Sequence, residues 1–462
     1  MALSNTPNKL SASRTRPSWR RYQQQLHRDG RWRFIPRKHL VGLAVFVLTA
    51  AVWWIFANPW PDSDNRSTRL PPEPADTAPP LFSKADVRNL LAEYSFEDIR
   101  GGPFNVAFGE RKLQVESTLD VNLQDYLQGK LYRRTSRYIA IVVLDAQQGQ
   151  VRAMVNFAKE GRAPNPSLAS DFPAASLFKI VTAAAALEKC GYSSQTPLAF
   201  NGASHTLYKS QLKNVRNRYT RQTTLEKAFA GSVNPVFGKI GRHCLGREKL
   251  QGYADRFGFN QPIPFELALR PSRTTITDEP YQWAEISSGF NQQTMISPLH
   301  GAMLAAVVPA EGRLVEPTII RRITDQNGVD LYRPQLTSTQ AVSPATAREL
   351  SRLMRRTVSH GTARKIFRRM RRDKVLSQLT IGGKTGSIDT RDHGARYDWF
   401  VGFADGPEQA DAIAVAVLVA HEKFIGRRAG EYARLAMREY YRLRAERRSK
   451  ATSANPSLKE SP

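Results

Sequence analysis

Apolar residues recur along this chain with two periods, one typical of strands and one typical of helices. Residues 138–144 form a continuous apolar run, and a second strand pattern covers residues 150–157 after the connection Asp145-Ala-Gln-Gln-Gly149. A short connection that ends in glycine predicts a β-hairpin. Further strand patterns lie at residues 113–119, 379–388, 397–404 and 412–420.

Helical spacing covers most of the sequence between these strands. Ser297-Pro298 and Ser343-Pro344 predict helix starts, because serine caps a helix and proline fits its first position. The pattern in residues 225–245 breaks before Pro235, which predicts a new helix there and places Ser232 and Asn234 on a loop. Other helices are predicted at 84–97, 121–131, 174–189 and 428–444.

The order of these elements indicates a fold class. A hairpin, a helical block and three later strands predict an α+β fold, in which helices cover the faces of an antiparallel sheet. The chain has 462 residues, of which 41% are hydrophobic, and this is enough for a sizeable core.

The N-terminus predicts export and a membrane anchor. Residues 1–38 carry ten Lys and Arg against a single acid, Asp29, and the 18 residues 40–57 carry no charge. An apolar run of this length can span a bilayer, and the basic flank places the N-terminus in the cytoplasm. A cleaved signal peptide is the alternative. Because most of the chain is then outside the cytoplasm, the net charge of +27 does not indicate a nucleic-acid partner.

The composition predicts six segments. They are a basic cytoplasmic tail (1–38), a transmembrane helix (39–57), a proline-rich linker (58–83), a short linking segment (84–137), a catalytic domain (138–446) and a disordered tail (447–462). The exported part holds two cysteines, Cys190 and Cys244, for which a disulfide and two buried thiols are both open. No cysteine or histidine spacing indicates a metal site.

Ser176 and Lys179 form a candidate nucleophile and base. They lie three residues apart at the start of a helical run after Pro173, so they share one helix face. Burial among apolar neighbours favours the neutral amine, which can take the proton of the serine hydroxyl. The pattern alone also fits an ordinary amphipathic helix, and Ser210-Gln-Leu-Lys213 matches it equally well.

Two later motifs strengthen this interpretation. Ser232-Val-Asn234 lies between two helices, and Lys384-Thr385-Gly386-Ser387 lies on a predicted strand whose glycines require a close neighbour. Ser-x-x-Lys, Ser-x-Asn and Lys-Thr-Gly in this order are a known catalytic set. Single matches are weak, since Ser63-Asp-Asn65 and Ser453-Ala-Asn455 also fit the second pattern.

On these motifs the chain resembles the penicillin-binding proteins over roughly residues 113–440. Other similar segments are residues 115–124, the hairpin VVLDAQQGQVRAMVNF, the run SPLHGAMLAAVVPAEGRLVEP, Gly361-Thr-Ala363 and Asp398-Trp-Phe-Val-Gly-Phe403. The sequence departs from the family at Ala175, where glycine is common, and at Ser387, where threonine is common. The resemblance implies the transpeptidase fold with an additional all-helical subdomain, and no cofactor or metal.

The resemblance also implies roles. Ser176 attacks the carbonyl between two D-alanines of a peptidoglycan stem peptide, Lys179 accepts the serine proton, and Ser232 relays a proton to the leaving amine. The implied substrate-binding residues are Asn234, Lys384, Thr385, Gly386 and Ser387, and the backbone amides of Ser176 and Ser387 form the oxyanion hole. Implied partners are stem peptides, β-lactams, the bacterial membrane and a glycan-polymerising protein, with the catalytic domain periplasmic or extracellular.

Other functions remain open at this point. A β-lactamase, a β-lactam-sensing receptor domain, a D,D-carboxypeptidase and a non-enzymatic wall scaffold could share these elements. Residues 355–374 hold nine Lys and Arg. They form either a solvated basic face or a dock for anionic wall polymer, lipid headgroups or an acidic partner.

Overall fold

The computed structural model describes residues 82–100, 102–160, 165–390, 394–407 and 411–454. The predicted basic tail, the transmembrane segment and nearly all of the proline-rich linker lie outside these residues. Among the helices that are described, none is long and apolar enough to cross a bilayer.

The strands match most of the predicted pattern. They are β1 (Phe104–Phe108), β2 (Arg111–Ser117), β3 (Ser136–Asp145), β4 (Val151–Ala158), β5 (Phe172–Pro173), β6 (Pro197–Phe200), β7 (Arg221–Thr224), β8 (Met295–Ile296), β9 (Arg313–Val315), β10 (Ile320–Thr324), β11 (Asp330–Tyr332), β12 (Ser338–Gln340), β13 (Thr380–Thr390), β14 (Ala395–Asp405) and β15 (Ile413–His421).

The α-helices frame these strands. They are α1 (Lys84–Leu90), α2 (Phe96–Arg100), α3 (Val121–Gly129), α4 (Lys179–Lys189), α5 (Leu225–Ala230), α6 (Asn234–Ile240), α7 (Gly246–Arg256), α8 (Pro280–Ser288), α9 (Pro298–Ala306), α10 (Pro344–Ser359), α11 (Arg364–Phe367) and α12 (Ala429–Ala454). A 3-10 turn, Ala175–Phe178, precedes α4, and a π turn, Gly241–Leu245, follows α6.

A five-stranded antiparallel sheet in the order β13-β14-β15-β3-β4 organises the fold. Successive side chains of β3 enter different cores: Ala140 and Val142 pack with Leu299 of α9, whereas Ile139 and Ile141 pack with Tyr432 of α12. Because both faces are covered, the strand is continuously apolar from Tyr138 to Leu144 rather than alternating. The predicted α+β class and the hairpin of β3 and β4 are confirmed.

The segment before this sheet also pairs with later strands. β1 and β2 form a four-stranded sheet with β10 and β11 in the order β1-β2-β10-β11. Residues 200–345, apart from short strands, supply α5 to α9. The turn between α5 and α6 carries Ser232, and α9 packs on the central sheet.

Three local predictions were wrong. Residues 84–97 form two helices rather than one, because the Ser95 hydroxyl and amide both bond the Asp98 carboxylate and start a new helix. Asn234 begins α6 instead of lying on a loop. The last helix continues to Ala454, supported by Arg442, whose guanidinium pairs with Glu439 and Glu446 one turn away on either side.

Candidate active site

Ser176 lies in the 3-10 turn that leads from β5 into α4. Ala175 adopts a left-handed backbone with a φ of 48°, which turns the chain sharply before the serine. Trp399 of β14 donates its indole N–H to Pro173 O at 2.9 Å and holds the turn against the sheet. Between residues 172 and 181 Ser176 alone is partly exposed, so a substrate can reach its hydroxyl while its neighbours are packed.

Lys179 is buried one helical turn after Ser176. Its Nζ lies 2.8 Å from Ser176 Oγ and 2.8 Å from Asn234 Oδ1, and it also donates to the carbonyl of Ser288. Complete burial, and next the positive charge of Lys384, hold the pKa of Lys179 well below that of a free lysine. Both effects favour the neutral form of the amine.

Ser232 lies in the turn between α5 and α6. Its backbone φ of 53° is left-handed, and its Oγ donates to Ser176 Oγ at 3.0 Å. The Asn234 amide donates to Ser204 O at 2.7 Å, which anchors the start of α6 beside Lys179. The turn thus presents one hydroxyl and one amide side chain to the Ser176 turn.

Lys384 is fully buried on β13. Its Nζ donates to Ser232 Oγ at 3.0 Å and to Thr385 O at 2.8 Å, and burial lowers its pKa to about 7. Gly386 faces the Ser176 turn, since a Cβ at this position would lie in ordinary van der Waals contact, 3.5 Å, with both Ala174 O and Ala175 Cβ. The strand is thereby pressed against the Ser176 turn.

These contacts join three separate sequence motifs into one chain of hydrogen bonds. It runs from Lys384 through Ser232 and Ser176 to Lys179, and ends on Asn234. The structure therefore brings together five of the eight residues singled out from the sequence. The Ser176 hydroxyl contacts one buried amine directly and the other through Ser232, and a hydroxyl beside an amine of lowered pKa can act as a nucleophile for acyl transfer.

Thr385 and Ser387 lie farther along β13. Thr385 Oγ1 is 2.5 Å from Thr362 Oγ1, and the exposed Ser387 donates to Asp398 Oδ1 at 3.3 Å. The two hydroxyls thus border the Ser176 turn without touching Ser176. In this structure the Ser387 hydroxyl is hydrogen-bonded to Asp398 of the neighbouring strand β14.

Sequence reasoning gave no site role to three residues that shape this pocket. Ser288 accepts from Lys179, and a Cβ on the next residue, Gly289, would lie 1.9 Å from Ala175 O. Thr362 contacts Thr385, and its amide donates to Ala230 O at 3.1 Å. For Ser288 and Gly289 the sequence did contain a signal, namely the glycine that ends α8 in the left-handed conformation.

The alternative Ser-x-x-Lys match has no such setting. Ser210 and Lys213 are both exposed, on a short 3-10 turn at the surface. Asn455 of the Ser453 match and the whole Ser63 match lie outside the described residues. Within the described ranges, no group of three or more His, Cys, Asp or Glu side chains could hold a metal ion.

Cys190 and Cys244 are joined in a disulfide, which selects one of the two states left open by the sequence. Of the basic residues in 355–374, those from Arg364 to Lys374 are exposed on and after α11. Asp373, the one acid among them, pairs with Arg438 of α12 at 2.9 Å.

Comparison with known proteins gives a consistent result. The family model for the penicillin binding protein transpeptidase domain matches residues 139–440. Peptidoglycan D,D-transpeptidase PbpA of Mycolicibacterium smegmatis is 27% identical over 274 residues, which are 55% of this chain and 51% of that protein. Stage V sporulation protein D of Bacillus subtilis is 24% identical over 331 residues, 66% of this chain and 49% of that protein. The chain thus spans about half the length of the curated relatives it matches.

Solved structures share the fold. The D,D-transpeptidase domain of a peptidoglycan glycosyltransferase from Eggerthella lenta aligns with a TM-score of 0.58 at 22% identity, over 72% of this chain and 83% of that one. PBPA from Mycobacterium tuberculosis aligns with a TM-score of 0.56 at 22% identity, over 71% of this chain and 82% of that one.

Proposed function

This chain belongs to the penicillin-binding protein transpeptidase family, and we propose that it is a serine D,D-transpeptidase that cross-links peptidoglycan and binds penicillin covalently. The observation that carries the proposal is the hydrogen-bond chain Lys384–Ser232–Ser176–Lys179. The relative from Mycolicibacterium smegmatis, named a peptidoglycan D,D-transpeptidase, supports the same reaction.

Lys179 acts as the base that activates Ser176. A neutral amine has two N–H groups and one lone pair. Asn234 Oδ1 and Ser288 O both accept hydrogen bonds from Lys179, so they take the two N–H groups. The lone pair is then left for the Ser176 hydroxyl at 2.8 Å, which is the arrangement that proton abstraction requires.

Ser176 Oγ then attacks the carbonyl carbon between the two D-alanines of a stem peptide. The C–N bond breaks, the acyl group stays on Ser176, and free D-alanine leaves after its amine receives a proton through Ser232. Lys384 supports this step, because its amine bonds the Ser232 hydroxyl and contributes positive potential when protonated. An amine of a second stem peptide attacks the ester, releases Ser176 and forms the cross-link.

The remaining residues bind and polarise the substrate. The backbone amides of Ser176 and Ser387 stabilise the oxyanion, a contribution of about 10²–10³ in rate for each donor. Asn234 also holds the substrate amide, and the hydroxyls of Thr385 and Ser387 bind the terminal carboxylate beside Gly386. This binding requires Ser387 to turn away from Asp398.

Location and partners complete the proposal. The uncharged segment 40–57 anchors the chain in the bacterial cell membrane with its basic tail in the cytoplasm, and the catalytic domain lies outside. The Cys190–Cys244 disulfide supports an oxidising compartment. The proposed partners are peptidoglycan stem peptides, β-lactams and a membrane protein that polymerises the glycan strands.

Covalent labelling tests this function. A fluorescent penicillin should add one acyl group to the wild type, detected by intact mass, and none to Ser176→Ala. Ser210→Ala is the matched control and should label like the wild type, because Ser210 is an exposed residue with no bonded lysine. Labelling that survives in Ser176→Ala would place the nucleophile elsewhere.

Product analysis separates the related activities. With stem peptide and an amine acceptor, the wild type should form the cross-linked product faster than the hydrolysed one. Hydrolysis alone would make the protein a carboxypeptidase, and rapid turnover of the penicillin adduct would make it a β-lactamase.

A further inference from the structure

A second cavity lies at the other edge of the central sheet. It has a volume of about 360 Å³ and is bordered by the β2–α3 connection, β4, β10 and the middle of α12. Four arginines line it, namely Arg152, Arg321, Arg444 and Arg447. We call it the arginine cavity. β4 and β13 are the two edge strands of the sheet, so the arginine cavity is separate from the Ser176 site.

The cavity has an excess of positive charge. Its one lining carboxylate, Asp120, is bonded by Arg447. Arg152 pairs with Asp145 at 3.2 Å and Arg444 pairs with Asp411, and both of these carboxylates are buried rather than part of the lining. Among the described residues Arg321 forms no ion pair, and the carboxylate that it acts on electrostatically, Glu116, is already paired with Arg322.

The cavity also offers hydrogen-bond donors. Nε of Arg152 and Nε of Arg444 are fully buried, so the donors that a ligand reaches most easily are those of the two exposed guanidinium groups, Arg321 and Arg447. The nine-residue helix α3 starts at the cavity wall, and Asp120 caps only its Leu123 amide. The amides of Val121 and Asn122 have no partner inside the helix, and the positive end of the helix dipole favours an anion beside them.

The charge, the donors and the size of the arginine cavity indicate which kind of ligand it binds. Guanidinium groups bind oxygen anions through paired N–H donors, and several of them around one cavity fit a group with more than one negative charge. A volume of about 360 Å³ exceeds the size of a single water-coordinated ion and lies at the lower end of small-ligand pockets.

We propose that the arginine cavity is a binding site for a phosphoryl group, remote from the catalytic serine and independent of the proposed transpeptidase reaction. The phosphoryl group belongs either to a soluble phosphate compound or to a lipid headgroup, which share the same recognition chemistry.

Calorimetric titration of the detergent-solubilised full chain tests this site. The two probes are inorganic pyrophosphate and dihexanoyl phosphatidylglycerol, each at fixed ionic strength in chloride. We expect one equivalent to bind. Binding of pyrophosphate alone would assign a soluble ligand, and binding of the lipid probe would assign a headgroup.

Two adjacent arginines on β10 give a matched pair of variants. Arg321→Gln removes the unpaired guanidinium in the cavity and should weaken binding roughly tenfold. Arg322→Gln removes the same charge from the neighbouring position, where Arg322 bonds Glu116 instead, and should leave binding unchanged. Ser176→Ala should bind like the wild type, which keeps this test distinct from the proposed catalytic function.

Three results would overturn the proposal. They are the absence of binding by either probe above the chloride background, equal weakening in Arg321→Gln and Arg322→Gln, and loss of binding in Ser176→Ala. Equal weakening would mean attraction by the net charge of the protein rather than by a built site. Circular dichroism of each variant confirms that it is folded.

Discussion

Two buried lysines enclose the Ser176 and Ser232 hydroxyls. Lys179 and Lys384 are both fully buried, and each lies over an aromatic ring, that of Phe237 for Lys179 and that of Phe229 for Lys384. Neither amine has a carboxylate partner in the hydrogen bonds described above, so protonating both would place two like charges in a desolvated site. Their protonation states are consequently linked.

This linkage predicts a shift in the pH dependence of acylation. Below pH 7 Lys384 is protonated and, after burial itself, is the second cause of the lowered pKa of Lys179. Lys384→Gln removes that charge, so the pKa of Lys179 rises. The acid limb of the penicillin acylation rate should therefore move to higher pH, in addition to any fall in the maximal rate.

Stopped-flow acylation between pH 4 and pH 8 measures this limb. The control is Lys365→Gln, which removes the same charge from an exposed position on α11 and should leave the limb in place. An acid limb that stays fixed or moves to lower pH in Lys384→Gln would contradict the proposed coupling.

At the scale of single residues the sequence was informative where spacing is local. Ser176 and Lys179 share one helical turn, so their contact could be predicted from the chain alone. The contact of Ser232 with Ser176 depends on a left-handed turn and on the placement of α5, which no local pattern contains. The resemblance of the motifs to a known family, rather than the periodicity of the sequence, predicted the contact between Ser232 and Ser176.

At the scale of elements, the glycines of β13 set how closely the sheet packs. A Cβ on Gly383 would lie 2.4 Å from Phe400 Cζ, and one on Gly382 would lie 2.5 Å from Phe403 Cε1. Both rings come from the partner strand β14. The glycines that looked unfavourable for a strand are thus required by these aromatic neighbours.

Gly383→Ala should therefore destabilise the protein by roughly 1–3 kcal/mol, the usual cost of overpacking a core. Gly252→Ala is the matched control, since nothing lies within 4 Å of the added Cβ in the interior of α7. That change should stabilise the helix by roughly 0.5–1 kcal/mol. Urea unfolding of both variants measures the difference, and equal stability would contradict the packing argument.

The disulfide connects two helical elements of the site. Cys190 follows α4, which begins with Lys179, and Cys244 lies in the π turn after α6, which begins with Asn234. The bond closes a loop over a sequence separation of 54 residues. It thus ties together the far ends of two helices whose first residues are hydrogen-bonded.

Replacing both cysteines by alanine should lower the unfolding free energy by about 3–5 kcal/mol, because an open loop has more freedom when unfolded. Calorimetry should show a lower Tm, while the acylation rate at 25 °C stays near that of the wild type. The matching check is the wild type treated with a reductant, which should unfold at the same temperature as the double variant. A Tm unchanged by both treatments would be the contrary result.

Elements with strong periodicity were predictable, and their ends were less so. The five strands of the central sheet and the proline-started helices α9 and α10 follow from apolar runs and from Ser-Pro caps. The break at Ser95 depends on a single side-chain carboxylate, and the extension of α12 depends on exposed ion pairs. Such interactions leave no periodic signal.

For the whole molecule, the proposed catalytic residues all lie within residues 82–454. The chain divides into a unit before Thr77 and a unit from Thr77 onward. The anchor and the catalytic function should therefore be separable.

A chain that begins at Thr77 should leave the membrane fraction on expression with an export signal, while the full chain sediments with membranes. Its penicillin acylation rate should equal that of the full chain in detergent. Sedimentation of the shortened chain with membranes would contradict the proposed anchor, and loss of acylation would contradict the independence of the catalytic unit.

The hydrogen bonds from Lys384 to Lys179 form one continuous path along which protons can move within the site. In the proposed roles, the proton that leaves Ser176 for Lys179 is matched by one that passes through Ser232 to the departing amine. Deacylation by the second amine runs the same path in the opposite direction. The total charge of the four groups is then the same before and after each half-reaction, so a full turnover needs no proton from bulk water.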